Sequence, residues 1–277
     1  MSREASRTPD PIDIPVPLPR GLIGERLALG HLLLCLDFDG TISEITDDPW
    51  KAVPLPRAKD AIAGLARRRD RLTVAVSSGR DLDTLLRLLG LRDGLLFAGT
   101  HGLEFIGRDG ARRFTSGVEP SADDIARLRE FVARAIPRDR GFIIEDKRVA
   151  LTLNYRNARP QDARAALAAF DQFVKARTTT LELLEGKMIH EAIPRGIGGK
   201  GDAIETLMRD AGVTASQTVY FGDDNTDENA FGALVPQGGI GVLVGAERAS
   251  FAQYRVEGPS QVADILEELV AALVALK

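Results

Sequence analysis

The sequence lacks the features that mark disulfide-stabilised, membrane-spanning and nucleic-acid-binding proteins. Its single cysteine, Cys35, excludes an internal disulfide and lies in an apolar run, where a buried thiol is expected. No apolar stretch approaches the roughly 18 residues that a transmembrane helix needs. The net charge of −4 provides no basic field to attract a nucleic acid backbone. These absences predict a cytoplasmic protein with neither nucleic acid nor membrane as a partner.

The chain has the size and composition of an ordinary globular protein. Its 277 residues are 44% hydrophobic and 27% charged, enough for one large domain or two modest ones. A monomer is compatible with the sequence, which does not determine the oligomeric state. Residues 1–19 are dense in proline and do not resemble a signal peptide. We predict that they form a mobile or extended leader.

After the leader, apolar runs of strand length alternate with segments of helical periodicity. The run Leu32 to Leu36 is followed by the helical pattern PRAKDAIAGLARRR and then by the β-branched run in RLTVAVSSGR. This alternation predicts an α/β fold with a parallel sheet, whose ligands bind beyond the carboxyl ends of the strands. Asp37 stands at such an end.

A different pattern interrupts this alternation in the middle of the chain. Between residues 105 and 192, hairpin signals alternate with two helical segments, and the α/β pattern then returns. The sequence therefore predicts a discontinuous Rossmann-like core at 20–104 and 193–277, and an inserted α+β cap at 105–192.

Acidic residues follow two of the predicted core strands. Asp37 and Asp39 end one strand, and Asp223 and Asp224 end another, with Asp227 shortly after. In one parallel sheet these carboxylates would converge on one edge, where two of them at 4 Å repel by about 4 kcal/mol at an effective dielectric of 20. A set of hard oxygen ligands without histidine or thiolate favours Mg²⁺, which proteins often share with a phosphate.

Four ordered motifs resemble those of the haloacid dehalogenase-like phosphatases. They are DFDGT at 37–41, SGR at 78–80, Lys200 in GGKGDA, and GDDNTDE at 222–228. With GTHGLE, EDK, NYR and EAIP added, the chain from Leu32 onward is similar to the trehalose-6-phosphate phosphatases. The resemblance implies a haloacid dehalogenase core with a cap that sets substrate specificity, and Mg²⁺-dependent hydrolysis of trehalose 6-phosphate to trehalose and phosphate.

The same resemblance implies roles for individual residues of the core. Asp37 would attack phosphorus and become an aspartyl phosphate, and Asp39 would act as general acid and base. Ser78 and Lys200 would contact the phosphoryl oxygens, although capping of the next helix is an alternative role for Ser78. The implied metal-binding residues are Asp37, Asp39 through its carbonyl, Asp223, and Asp227 or Asp224.

Substrate contacts are implied both in the core and in the cap. One departure from the family is Asn154, which stands where many relatives carry histidine before YR. His101 has either a hinge or substrate-facing role or a structural one, and His31 and His190 match no role. The implied substrate-binding residues are Thr41, Gly79, Arg80, His101, Glu145, Lys147, Asn154, Arg156 and Glu191.

Three other functions stay open at the level of the sequence. The substrate could be another sugar phosphate, such as sucrose phosphate or mannosyl- or glucosyl-phosphoglycerate, because only cap residues distinguish these. A phosphomutase would use the same two acids, Asp37 and Asp39. A regulatory domain that has lost catalysis is disfavoured because Asp37, Asp39, Lys200 and Asp223 are all present.

Overall fold

The computed structural model describes residues 13–46, 48–177, 179–186, 188–196 and 199–275. In chain order the strands are β1 (Val16–Pro17), β2 (Leu32–Asp37), β3 (Leu72–Ser77), β4 (Leu95–Gly99), β5 (Glu104–Ile106), β6 (Arg112–Phe114), β7 (Ile143–Asp146), β8 (Leu151–Asn154), β9 (Leu181–Gly186), β10 (Ile189–Pro194), β11 (Thr218–Gly222), β12 (Ile240–Val244) and β13 (Tyr254–Val256). The helices are α1 (Leu22–Leu29), α2 (Pro56–Leu65), α3 (Leu82–Leu89), α4 (Ala122–Ala135), α5 (Pro160–Lys175), α6 (Lys200–Ala211), α7 (Glu228–Leu234) and α8 (Pro259–Ala275). None of these helices is both long and apolar enough to cross a lipid bilayer.

The first unit contains the large sheet. In the described part of the chain its strand order is β1-β13-β12-β11-β2-β3-β4-β5-β6, parallel from β1 to β4, with β5 antiparallel to β4. The predicted α/β class with a parallel sheet is therefore confirmed. Because β2 and β11 are neighbours and parallel, the acidic segments that follow them leave the sheet at the same edge.

The central strand β2 is buried on both faces. Leu32, Leu34 and Leu36 pack in a cluster that includes residues of α1, α2, α3 and α8. Leu33 and Cys35 pack in a second cluster, with residues of α6 and α7. Burial raises the pKa of the Cys35 thiol, so this side chain acts as a small hydrophobic group. Since side chains alternate along a strand, the alternation predicts that the last residue, Asp37, follows Cys35 on the face covered by α6.

The second unit is an antiparallel sheet covered by two helices. Its strand order is β7-β8-β10-β9, and Leu151 and Leu153 of β8 pack with Phe170 of α5 and Leu128 of α4. The alternate residues Thr152 and Asn154 belong to the opposite face of the sheet. A hydrophobic face packed on helices therefore leaves a polar face on the other side.

The two units divide the chain at different points from those predicted. The first unit contains the described residues up to Arg113 and those from 199 onward, and the second begins at Phe114. The difference arises because β5 and β6, which the hairpin pattern of the sequence places in the cap, extend the large sheet instead. At the other boundary β10 continues to Pro194, past the predicted end at 192.

The predicted leader is described only in part. Residues 1–12 lie outside the described residues. Val16 and Pro17 form the edge strand β1, which pairs with Tyr254 and Arg255 of β13. Residues 16–17 are therefore a strand of the large sheet, although the proline content predicts a leader as far as residue 19.

Candidate active site

The turn after β2 brings its acidic residues to the edge of the sheet. Asp37 is 4% exposed, and the next side chain, Phe38, packs in the hydrophobic core. Gly40 has a φ of +79°, and a Cβ atom there would lie 2.0 Å from Oδ2 of Asp223. Glycine is needed at this position for both reasons, since side chains disfavour this φ and would displace the carboxylate. The glycine of the DFDGT motif therefore leaves space for the carboxylate of Asp223, which follows β11.

Three carboxylates meet at this edge. Oxygen atoms of Asp37, Asp223 and Asp227 lie within 4.8 Å of one another. Asp37 ends β2, Asp223 follows β11, and Asp227 belongs to a short 3₁₀ helix, Asn225–Asp227. Gly222 provides the space for Asp227, because a Cβ there would lie 2.3 Å from the Asp227 carboxyl carbon. We call Asp37, Asp223 and Asp227 the acidic cluster.

Lys200 links two members of the acidic cluster. It is the first residue of α6, and its buried Nζ lies 2.6 Å from Oδ1 of Asp37 and 2.6 Å from Oδ1 of Asp227. Asp227 also accepts hydrogen bonds from the Tyr220 hydroxyl, at 2.7 Å, and from the Asp224 amide, at 2.9 Å. These bonds hold the Asp227 carboxylate in one orientation.

Burial and repulsion shape the electrostatics of the acidic cluster. Burial, with a further contribution from Asp227 and Asp223, raises the pKa of Asp37 well above its usual value despite Lys200. Burial and the charge of Asp227 likewise raise the pKa of Asp223 to about 7. Burial alone would lower the pKa of Lys200, but the carboxylates of Asp227 and Asp37 outweigh it and raise that pKa. Two carboxylates within 4.8 Å of each other repel by at least about 3.5 kcal/mol at a dielectric of 20.

The donor set fits a hard divalent cation. Among the described residues, the three carboxylates of the acidic cluster face a single ammonium, that of Lys200. A cation of charge +2 would balance the remaining negative charge, and all the side-chain donors are oxygens, as Mg²⁺ prefers. The side chains of Asp39 and Asp224 are outside this group in the described structure: Asp39 pairs with Arg80, and the exposed Asp224 accepts a hydrogen bond from the amide of Asn225.

Arg80 is not a surface arginine, and Ser78 does not cap a helix. Arg80 is 9% exposed and donates from Nε and a terminal nitrogen to the two oxygens of Asp39, each at 2.6 Å. Such a bidentate pair fixes the planes of both the guanidinium and the carboxylate group. The cap of α3 is Asp81, which accepts from the Thr84 amide at 3.0 Å, so the alternative capping role of Ser78 is wrong. Ser78 is buried and its Oγ accepts from the Arg80 amide at 3.1 Å.

His101 connects two of the motifs. A Cβ on Gly79 would lie 2.5 Å from the His101 ring, so the ring packs directly on the SGR turn. The His101 carbonyl accepts from the Gly199 amide at 2.6 Å, one residue before Lys200. His101 has a φ of 54° and Thr100 a φ of 47°, a left-handed conformation that is uncommon outside glycine. The backbone of His101 thus links the SGR turn to the start of α6.

Two buried hydroxyls near these motifs have unused hydrogen-bonding capacity. Thr41 Oγ1 and Ser77 Oγ have no hydrogen-bond partner among the described residues. Thr41 belongs to the turn after β2, and Ser77 pairs in register with Asp37 across β2 and β3. Both donors are available to a ligand bound at this edge of the sheet.

Four predicted substrate residues of the second unit lie on or next to its polar sheet face: Glu145, Lys147, Asn154 and Glu191. Glu145 and Glu191 both pair in register with Thr152, whose buried Oγ1 lacks a partner among the described residues. Lys147 and Glu191 form a buried ion pair at 2.8 Å. Asn154 is buried and accepts from the amide of Arg156 at 3.1 Å, so its side chain also closes the turn after β8.

Sequence reasoning missed the contacts of two residues near the acidic cluster, Tyr220 and Glu228. Tyr220 is fully buried, and both burial and the charge of Asp227 raise its pKa well above the usual value. Its register with Cys35 places it on the face covered by α6, and this register is known only from the pairing of β11 with β2. Glu228, the last residue of the GDDNTDE motif, accepts from the Ser250 hydroxyl at 2.9 Å and pairs with Arg248. No sequence signal connects Glu228 to these distant residues.

Comparison with known proteins identifies the family. The family model of trehalose-phosphatase matches residues 35–260. A trehalose-phosphate phosphatase of Mycolicibacterium paratuberculosis is 34% identical over 259 residues, covering 88% of this chain and 63% of the relative. An uncharacterized glycosyl hydrolase of Mycobacterium tuberculosis is 32% identical over 277 residues, 97% of this chain but 20% of the relative. The chain thus spans a fifth of one relative and less than two thirds of the other.

A solved structure gives the same result for the fold. The C-terminal domain of trehalose-6-phosphate phosphatase from C. albicans superimposes with a TM-score of 0.76 at 22% identity, covering 94% of this chain and 98% of that domain. A haloacid dehalogenase-like hydrolase from Bacteroides thetaiotaomicron superimposes with a TM-score of 0.58 at 16% identity, covering 87% of this chain and 100% of that chain. The predicted haloacid dehalogenase-like fold and the family resemblance are therefore confirmed. The chain belongs to the trehalose-phosphatase family.

Proposed function

We propose that the protein is a Mg²⁺-dependent phosphatase that hydrolyses trehalose 6-phosphate to trehalose and phosphate. The observation that carries this proposal is the meeting of Asp37, Asp223, Asp227 and Lys200 at one sheet edge, in a chain that matches the trehalose-phosphatase family. The substrate assignment rests on that family and on relatives named for trehalose phosphate. The protein is thus a phosphoric monoester hydrolase.

Asp37 is the proposed nucleophile. Its carboxylate attacks phosphorus, the bond to the sugar oxygen breaks, and an aspartyl phosphate forms. The bond between Asp37 and Lys200 fixes the carboxylate before attack, and Lys200 then offers its positive charge to the phosphoryl oxygens. Ser78, and the Thr41 hydroxyl that lacks a partner among the described residues, are the proposed further donors to these oxygens. Water then attacks phosphorus, releases phosphate and restores Asp37.

Asp39 is the proposed general acid and base. It would give a proton to the leaving sugar oxygen and later take one from the attacking water. Both its oxygens accept from Arg80 in the structure, so proton transfer requires this ion pair to open. Substrate phosphate would compete for Arg80, because a guanidinium binds phosphate in the same bidentate manner as it binds carboxylate. Substrate binding is therefore coupled, in this mechanism, to the release of Asp39 from its ion pair with Arg80.

Mg²⁺ would be held by Asp37, Asp223 and Asp227, together with the Asp39 carbonyl that the family resemblance implies. When bound, it neutralises the charge that the carboxylates and the phosphoryl oxygens share. Tyr220 and the Asp224 amide orient the Asp227 carboxylate for this purpose.

The polar face of the second sheet is the proposed source of sugar specificity. Glu145, Lys147 and Glu191 provide charged groups that form strong hydrogen bonds to hydroxyls. Thr152 adds a hydroxyl that has no partner in the described part of the chain. Asn154 replaces an ionisable histidine with a neutral amide, so this contact does not change with pH.

Phosphate release from a panel of sugar phosphates tests the proposed function. We expect trehalose 6-phosphate to be hydrolysed at least about tenfold faster than glucose 6-phosphate or sucrose 6-phosphate, because unfilled polar contacts penalise the wrong sugar. Release should equal substrate loss and should stop when EDTA removes the metal. Equal rates across the panel would contradict the trehalose assignment, and substrate loss without free phosphate would indicate a mutase.

The acidic cluster predicts that Asp227, and not Asp224, supports the metal. We expect Asp227→Asn to weaken the apparent affinity for Mg²⁺ by roughly 10–100-fold, since partners that tune a metal site have effects of this size. Asp224→Asn keeps the oxygen that caps the 3₁₀ helix, so we expect activity within about threefold of the wild type. Mg²⁺ titration of the two variants measures both values. Equal losses of Mg²⁺ affinity in the two variants would show that Asp227 contributes no more to metal binding than Asp224 does.

A further inference from the structure

The second unit contains a group of three potential metal ligands that the proposed reaction does not use. Glu185 of β9 and His190 of β10 are directly opposed in the antiparallel ladder, and Asp171 of α5 lies against them. One ligand atom from each residue lies within 4.8 Å of the others. We call Asp171, Glu185 and His190 the His190 cluster.

The fold holds two of these side chains in place and leaves the third accessible. His190 follows the alternation of β10 toward the face that packs on the helices, and its ring meets Tyr155 edge-on with centroids 5.9 Å apart. Its Nδ1 lies 2.7 Å from Oδ1 of Asp171, and the two side chains are 13% and 19% exposed. Glu185 is exposed at the margin. A ligand bound here would contact fixed groups on one side and water on the other.

The charges of the His190 cluster are unbalanced. Among the described residues, no lysine or arginine forms an ion pair with Asp171 or Glu185. Two other carboxylates of this unit are paired with arginine, Asp146 with Arg129 and Asp162 with Arg140. Two carboxylates beside an imidazole therefore create a position that favours a cation of charge +2.

The donor atoms indicate which cation fits. Imidazole nitrogen with carboxylate oxygen is a donor set that suits Zn²⁺, whereas Mg²⁺ prefers oxygen donors alone. Zn²⁺ bonds of about 2.0–2.1 Å at tetrahedral angles place ligand atoms roughly 3.3 Å apart. The ligand atoms of the His190 cluster all lie within 4.8 Å of one another, and Nδ1 of His190 lies 2.7 Å from Oδ1 of Asp171, so that separation falls within the observed range. A water molecule would complete the tetrahedral set.

We propose that Asp171, Glu185 and His190 form a Zn²⁺ site that links α5 to the β9–β10 hairpin. Nδ1 of the imidazole binds the ion, and the ring proton resides on Nε2. The ion replaces the hydrogen bond between His190 and Asp171 with bonds to all three side chains. The site is distinct from the acidic cluster in both residues and donor type, and it stabilises the second unit whether or not substrate is hydrolysed.

Zinc titration of the full chain tests this proposal, with Mg²⁺ in large excess to occupy the acidic cluster. We expect one Zn²⁺ per chain in the wild type, and an affinity lowered about tenfold or more in Glu185→Gln. Glu182→Gln is the matched control, because Glu182 is on the same strand but pairs with Ile193 on the opposite face. This control should bind Zn²⁺ as the wild type does. The melting temperature should rise with Zn²⁺ in the wild type and the control, and less in Glu185→Gln.

Imidazole NMR resonances provide a readout specific to the site. The chain has three histidines, so single variants assign each signal. We expect Zn²⁺ to shift the His190 resonances and to leave those of His31 and His101 in place. Three results would overturn the proposal: no Zn²⁺ binding in excess Mg²⁺, equal affinity in Glu185→Gln, or unmoved His190 resonances. His190→Gln should also lose binding, and if it fails to fold, Glu185→Gln still decides.

Discussion

Asp37→Asn is expected to abolish phosphate release, with a loss of roughly 10⁴-fold or more, while the fold stays intact. The amide cannot form the aspartyl phosphate, so the two-step route is closed. It keeps an oxygen that accepts from Lys200 at the position of Oδ1. It also removes one charge from three that repel each other, so the free energy of unfolding without metal should equal or exceed that of the wild type.

Two measurements distinguish the loss of the nucleophile from general damage to the fold. Phosphate release at saturating substrate gives the loss of kcat, and urea denaturation in EDTA gives the stability. Asp93→Asn, at an exposed aspartate in the loop before β4, is the control and should leave both unchanged. Mass spectrometry of acid-quenched enzyme should find the phosphoryl group on Asp37 in the wild type alone. An Asp37→Asn variant with wild-type turnover would refute the nucleophile assignment.

Lys200→Met is expected to lower both activity and stability. The Lys200 ammonium is the group that the structure places against both Asp37 and Asp227, and its removal leaves two buried carboxylates without that partner. Breaking a buried pair in this way costs about 3–5 kcal/mol of unfolding free energy. Loss of a cation at the phosphoryl oxygens should reduce kcat by roughly 10²–10³-fold. Lys200→Met therefore affects the free enzyme as well as the reaction.

The metal dependence of stability gives this prediction a second readout. Mg²⁺ should stabilise Lys200→Met more than it stabilises the wild type, because the variant has more uncompensated negative charge. Lys51→Met is the control, since Lys51 is 79% exposed and pairs with Asp48 at the surface. Urea denaturation with and without Mg²⁺ measures the difference. A Lys200→Met variant as stable as the wild type in EDTA would show that the pair with Asp37 and Asp227 contributes little.

The local part of the site follows from the sequence. Alternation along β2 places Phe38 in the core and turns Asp37 to the opposite side, and both follow from period two in an extended strand. The α/β order likewise predicts that β2 and β11 leave the sheet at the same edge. These features depend on neighbours in the chain and on rules of strand connection, so one sequence contains enough information to predict them.

The choice among similar residues required the tertiary structure. The sequence offers Asp224 and Asp227 as equivalent metal ligands, but the packing of Asp227 against Gly222, Tyr220 and Lys200 distinguishes them. The same is true of Ser78, whose capping role is taken by Asp81. Helix propensity and motif spacing describe segments one at a time, whereas these distinctions arise from contacts between segments.

The sequence alone therefore determined the α/β class, the order of the motifs and the residue types that chemistry at this edge requires. The tertiary structure decided that Arg80 pairs with Asp39, that β5 and β6 extend the large sheet, and that Lys200 reaches Asp37 across 163 positions of the chain. The physical reason is that alternation and capping act over a few residues, while the position of a buried charge depends on which partners the whole fold brings to within hydrogen-bond distance.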